Sequence, residues 1–197
     1  MNEWENAKTK HLSKFKELRK LIPGYEYSDS HRAELTDGKL SLLILEELRK
    51  CKNTLFDIVE ISYELQLDKL TKGVQKIRDE LDIFADEIKV RYFEWKSPPE
   101  FFLEKIIEHD HGLVKGGEKF RETLDSIRKL IMKMEKPGGS LFDKKQLELL
   151  ERKTREAEQQ LDSLVRLYKE RESIFKIKSI SIMRTFRKLR EEIKSRI

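Results

Sequence analysis

Apolar residues recur at spacings of three and four along most of this chain, and three long stretches of that kind set the expected architecture. The last of them, residues 140–197, reads as one helix of about 55 residues, roughly 80 Å long at 1.5 Å per residue. Leu147, Leu150, Ala157, Leu161, Leu164, Tyr168, Phe175, Ile182, Leu189 and Ile193 form its seam, and neither Pro nor Gly interrupts it. Upstream, Leu70, Val74, Ile77, Leu81, Phe84, Ile88 and Trp95 repeat in the same pattern. A third run carries Leu103, Ile106, Leu113, Phe120, Leu124, Ile127, Ile131 and Met134, with Asp110 and Gly117 at seam positions where an apolar residue is expected. Near residue 175 the order Phe-Lys-Ile-Lys, then Ser-Ile-Ser-Ile, alternates as a strand would. Helical flanks on both sides favour continuation of the helix.

Punctuation places the ends of these runs. Asn2 with Glu5 makes a capping box for a first helix that ends near Leu21, before Pro23 and Gly24, and residues 25–30 read as a polar loop or short turn. Thr36 or Asp37 can cap a second helix bearing Leu40, Leu43, Ile44, Leu48 and Cys51. At Lys52, Asn53 and Thr54 the pattern allows either a cap and break or a helix running on towards Trp95. Ser97, Pro98 and Glu100 supply an N-cap, a proline at the first helical position and a closing acid. Pro137-Gly138-Gly139 stops that helix, and Ser140 with Asp143 starts the last one.

Short connections force neighbouring helices antiparallel, so the expectation is an all-α, elongated antiparallel helical bundle of coiled-coil character. It has three long helices over residues 53–197, and residues 1–52 form shorter helices that pack on or cap them. The final helix outruns a core about 40 residues long. Its end, with Ile182, Phe186, Leu189 and Ile193, then calls for a cover, either the N-terminal helices or a second subunit. A homodimer, or a complex with another helical protein, is the expected assembly.

Composition supports this reading. Charged residues make up 40% of the 197 and apolar ones 38%, with only eight Gly and four Pro, the signature of long helices. Abundant Lys, Arg and Glu beside few Asn and Gln fits a thermophilic source. A single cysteine, Cys51, excludes an intramolecular disulfide and a thiolate metal cage, and points to a reducing compartment, the cytoplasm. No signal pattern or membrane-length apolar run is visible.

Charge is distributed unevenly. The formal total is +5, with six basic against three acidic residues in 1–24 and eight against two in 174–197, so the middle of the chain carries −4. Lys178, Arg184, Arg187, Lys188, Arg190 and Lys194 surround the apolar stripe of the last helix and form the candidate surface for nucleic acid or another anionic partner. A membrane surface is the less favoured alternative. No helix-turn-helix, zinc finger or aromatic-interleaved basic motif accompanies them.

Candidate chemistry is sparse. Glu104, Glu108 and His111 are the one concentrated ligand set, and Glu108 with His111 has the Glu-x-x-His spacing of di-metal bundles. No second such unit exists, so a polar notch around Asp110, paired with a Lys or Arg of a neighbouring helix or wetted by water, is the plainer reading. Gly112, Gly116 and Gly117 lack the Lys-Ser/Thr and preceding strand of a phosphate loop and read as sites of close helix packing or a bend. The expectation is therefore a non-enzymatic scaffold or interaction protein without a cofactor, with a nucleic-acid-binding protein as the alternative.

The stretch FFLEKIIEH at 101–109, followed by another apolar helical run, resembles helices of the phosphate-uptake regulator (PhoU-like) family, which is also built of long antiparallel helices. That resemblance implies a metal-binding or regulatory bundle as a second alternative. The family's paired acidic metal motifs are not evident, and none of its sites transfers to a residue here.

Overall fold

A computed structural model of the protein describes residues 3–89, 102–134 and 144–194, with side chains to residue 175. It is all-α, a helical bundle, with six helices and no strand among the described residues: α1 (Glu3–Lys10), α2 (Leu12–Leu21), α3 (Ser30–Glu64), α4 (Asp68–Lys89), α5 (Leu103–Met134) and α6 (Lys144–Lys194). Among the described residues most of the three expected seams is buried, as Val74, Ile77, Phe84, Phe120, Ile127, Leu161 and Tyr168 illustrate, while Leu147 and Met134 are half-buried and Trp95, Ile182, Leu189 and Ile193 lie outside the described side chains. Through the alternating stretch at 175–182 the backbone of α6 stays helical. The capping residue Asn2, the Ser97-Pro98-Glu100 box and the stop and start at 137–143 lie outside the described residues.

Two boundaries differ from the sequence reading, each for a physical reason. The first helix is divided at His11, whose backbone sits at φ −112°, ψ 35°, although His11 N–H still reaches Ala7 O and Phe15 N–H reaches His11 O. The second begins at Ser30 rather than at Thr36 or Asp37. Asp29 caps it, its carboxyl accepting from Arg32 N–H at 2.9 Å. Thr36 and Asp37 are interior and buried. The Thr36 hydroxyl grips both backbone groups of Glu26, at 3.0 and 2.8 Å.

No break occurs at Asn53. Helix α3 ends at Glu64 in a reversal made by Leu65, Gln66 and Leu67. Gln66 adopts φ +55°, its N–H bonds Tyr63 O, and Leu67 N–H bonds Ser62 O, the paired bonds of a Schellman motif. The left-handed position that glycine usually fills is held here by glutamine. Beneath it the Ser62 and Thr71 hydroxyls meet at 2.8 Å, fastening the end of α3 to the start of α4.

The chain divides into two compact units, and α3, α5 and α6 contribute a segment to each. One comprises Met1–Leu40, Phe93–Gly112 and Leu167–Ile197; the other comprises Ser41–Tyr92 and Leu113–Arg166. The second unit is a four-helix arrangement whose directions follow from its cross-helix pairs. Lys52 bonds Asp82 at 2.7 Å across antiparallel α3 and α4. Lys69 with Glu151 and Lys76 with Glu158 tie α4 to α6 in parallel. Glu47 with Arg121 and Asp57 with Arg128 tie α3 to α5 in parallel. Against the backbone of Gly116 in α5 lies Leu164 of α6, so close that a Cβ there would come within 2.7 Å of its methyl. The helices therefore follow one another around the unit in the order α3, α4, α6, α5.

Replacing Gln66 by Gly should raise stability by about 1 kcal/mol, the approximate cost of the left-handed conformation for a residue with a Cβ. Urea unfolding would register this as a higher midpoint with an unchanged slope.

Candidate functional site

In the first unit the polar positions of two seams meet. Asp110 replaces an apolar residue on α5, and Arg171 falls between Tyr168 and Phe175 on α6 at the same seam spacing. Both are 0% exposed. The Asp110 carboxyl accepts from Arg171 Nε through one oxygen. Its other oxygen accepts from the Tyr25 and Tyr27 hydroxyls at 2.7 and 2.9 Å. Arg171 Nη1 donates to Asp37 of α3 at 2.5 Å, and Nη2 donates to the Tyr27 oxygen at 2.6 Å. Phe175 covers the guanidinium, its ring centroid 5.1 Å from Cζ.

The segment between α2 and α3, expected to be a polar loop, delivers both tyrosines to the interior. Gly24, at φ +80°, turns the chain, and Tyr25 N–H returns to Ile22 O. Glu26 then lies between them, held by Thr36 and paired at its carboxyl with Arg32. Around the two phenols pack Trp4 of α1 and Phe15 of α2, with ring centroids 5.9 to 6.4 Å apart. The network thus joins four stretches: the N-terminal helices with their loop, α3, α5 and α6.

Electrostatics explain its composition. Burial lowers the pKa of a guanidinium, but Asp110, Tyr27 and Asp37 together outweigh that and hold Arg171 well above the ordinary arginine value. Burial first, then Asp110, raises Tyr25 well above 10. Tyr27 is raised chiefly by burial, against the opposing pull of Arg171. Both phenols are therefore proton donors to Asp110 over the whole physiological range.

The expected ligand residues are elsewhere on α5. Glu104 pairs with Lys10 at 2.6 Å, and this hydrogen bond keeps its carboxyl below the usual glutamate range. Glu108 pairs with Lys14 at 3.3 Å, and His111 faces Glu17 at 3.1 Å. Among the described residues no group of three or more His, Cys, Asp or Glu is gathered as a metal site would require. His109, one position before Asp110, is buried, with Nε2 at 3.7 Å from Glu170; desolvation lowers its pKa. The Cys51 thiol is pushed up to about 12, mainly by burial. Lys178, Arg184, Arg187, Lys188, Arg190 and Lys194, with Ile182, Phe186, Leu189 and Ile193, fall on the helical backbone of α6, and their side chains lie outside the described residues.

The chain matches no protein-family model, no curated protein and no solved structure. The likeness of residues 101–109 to phosphate-uptake regulators thus stays one of helix periodicity.

Two outcomes follow from the buried network. Changing Arg171 to Met leaves Asp37 and Asp110 without their cation and should cost about 3–5 kcal/mol in chemical unfolding. Alkali should destabilise the fold from about pH 10, the ordinary tyrosine value. Above that pH the unfolded chain releases phenolic protons that the folded chain retains, so the stability these groups contribute is complete below it and lost as pH rises towards their raised folded values. Thermal unfolding between pH 8 and 12 should show this decline, with a smaller slope in Tyr25→Phe.

Proposed function

We propose that the protein is a non-enzymatic helical interaction protein whose partner is engaged by the cationic, apolar-striped end of α6. One observation carries this reading: α6 is a single helix of 51 residues that continues without interruption to Lys194. Within residues 174–197 eight basic residues oppose two acidic ones, while Ile182, Phe186, Leu189 and Ile193 keep a helical spacing. A helix of this kind offers an apolar anchor and a cationic rim to an acidic groove or an acidic helix.

The buried network supports the same reading. Its guanidinium and phenol groups are committed to one another, so they fix α6 immediately before this stretch. No described helix is long and apolar enough to cross a membrane, and the proposed setting is the cytoplasm.

The variant Arg184→Glu, Arg187→Glu, Lys188→Glu, Arg190→Glu separates the two macromolecular partners. Cross-linking in extracts of the source cells should recover a protein partner with the wild type and lose it with the variant. Fluorescence anisotropy with labelled duplex DNA and single-stranded RNA should show no specific affinity. Binding that falls by orders of magnitude between about 50 and 200 mM salt and vanishes in the variant would instead establish a nucleic-acid-binding protein.

A further inference from the structure

Helix α3 carries a second organised surface, on the side away from its core. Leu35, Leu42, Phe56 and Tyr63 are 51%, 68%, 48% and 76% exposed. Single exposed apolar residues are ordinary. These four share one phase, each separated from the next by seven residues or twice seven, and Arg49 occupies the intervening place. In a straight helix such a heptad row drifts by about 20° per repeat, so it traces a shallow spiral that a left-handed supercoiled helix follows. The shape of the row therefore selects a helix as its occupant.

Charges along the same face select which helix. Lys39, Glu46, Arg49, Asn53 and Glu60 alternate with the apolar positions, all exposed on α3. If a second copy of α3 lies antiparallel, with a two-fold axis between residues 49 and 50, Lys39 of each copy comes level with Glu60 of the other. Glu46 comes level with Asn53, and the two Arg49 residues meet at the two-fold axis, about 1.5 Å apart along the helices, each with Glu46 of the other copy about 6 Å away in the same direction at 1.5 Å per residue. Leu42 then meets the turn bearing Phe56, and Leu35 the turn bearing Tyr63. Arg49 faces its own counterpart in either direction, but a parallel pair in register would also set Lys39, Glu46 and Glu60 each against its own like charge.

We infer that this face of α3 is the seam of a symmetric homodimer in which two copies of the helix pair antiparallel about Arg49. The surface is distinct from the α6 end and is independent of what that end binds. Phe56 is already flanked by cations, with Lys52 Nζ 5.9 Å and Arg78 Cζ 5.3 Å from its ring centroid. That polar rim limits the apolar stripe on the side facing α4. Lys39 also donates to Pro23 O at 2.6 Å, which holds its ammonium near the helix surface.

Sedimentation equilibrium tests the inference. Wild type should give about twice the chain mass of 23.6 kDa. Leu42→Glu with Tyr63→Glu should give the single mass at unchanged helicity, since neither side chain lies in the core. Lys39→Glu should weaken association about tenfold by facing Glu60, and Lys39→Glu with Glu60→Lys should restore it. A wild type that stays at the single mass at high concentration overturns the inference. So does a dimer that survives Leu42→Glu with Tyr63→Glu but dissociates on changing Ile182, Phe186, Leu189 and Ile193. Failure of the double reversal to restore a weakened dimer overturns the antiparallel pairing.

Discussion

A guanidinium taken out of water dictates what must surround it. Its transfer into a low-dielectric interior costs several kcal/mol even after relaxation, so Arg171 is tolerable only where acceptors meet it on several sides. Those acceptors come from Asp110, Asp37 and Tyr27, which belong to three different stretches of chain. Each is set by helix phase or by a turn, so the network admits one register of α3 against α5 and α6. An apolar layer of similar volume would lack these fixed donor and acceptor pairings and would rely on shape alone. The network thus acts as an alignment device within its unit, and the aromatic cluster of Trp4, Phe15, Tyr25 and Tyr27 closes over it.

The four-helix unit solves the same problem differently. Its core is almost wholly apolar, and its ion pairs lie between adjacent helices at the surface, where each contributes under about 1 kcal/mol. Register there depends on shape. Close packing of Gly116 against Leu164 brings α5 and α6 together at one place, and Gly112 does the same against Leu167 in the first unit. These glycines, which carry no phosphate-loop geometry, serve as flat places on α5 that receive leucines from α6.

Much of this was legible in sequence because long amphipathic helices repeat one signal many times. The seams of α4, α5 and α6 could be read residue by residue. What escaped reading shares a cause: local polar residues have the same appearance whether they cap a helix or sit inside one. Thr36 and Asp37 precede an apolar run as caps do, yet they anchor Glu26 and Arg171. The end of α3 carries neither Gly nor Pro, since Gln66 takes the left-handed turn itself. Asp110 was visible as a polar exception in its seam. Arg171 was hidden in the charged run Lys169-Glu170-Arg171-Glu172, although its place between Tyr168 and Phe175 was the available sign. An acid and a base interrupting the facing seams of two antiparallel helices form a pair that periodicity alone can suggest. No comparable signal existed for Tyr25 and Tyr27, whose burial depends on a loop path fixed from far along the chain.

That distance bears on how the molecule is made. The bonds of Arg171 reach partners 61, 134 and 144 positions earlier in the chain. The hairpin of α3 and α4 closes through a three-residue reversal and can form as soon as it leaves the ribosome. The first 40 residues emerge long before their unit has an arginine to gather around, because loop closure over such separations must precede any reward from contact. During synthesis Trp4, Phe15 and the two tyrosines therefore leave the ribosome well before the arginine that they enclose.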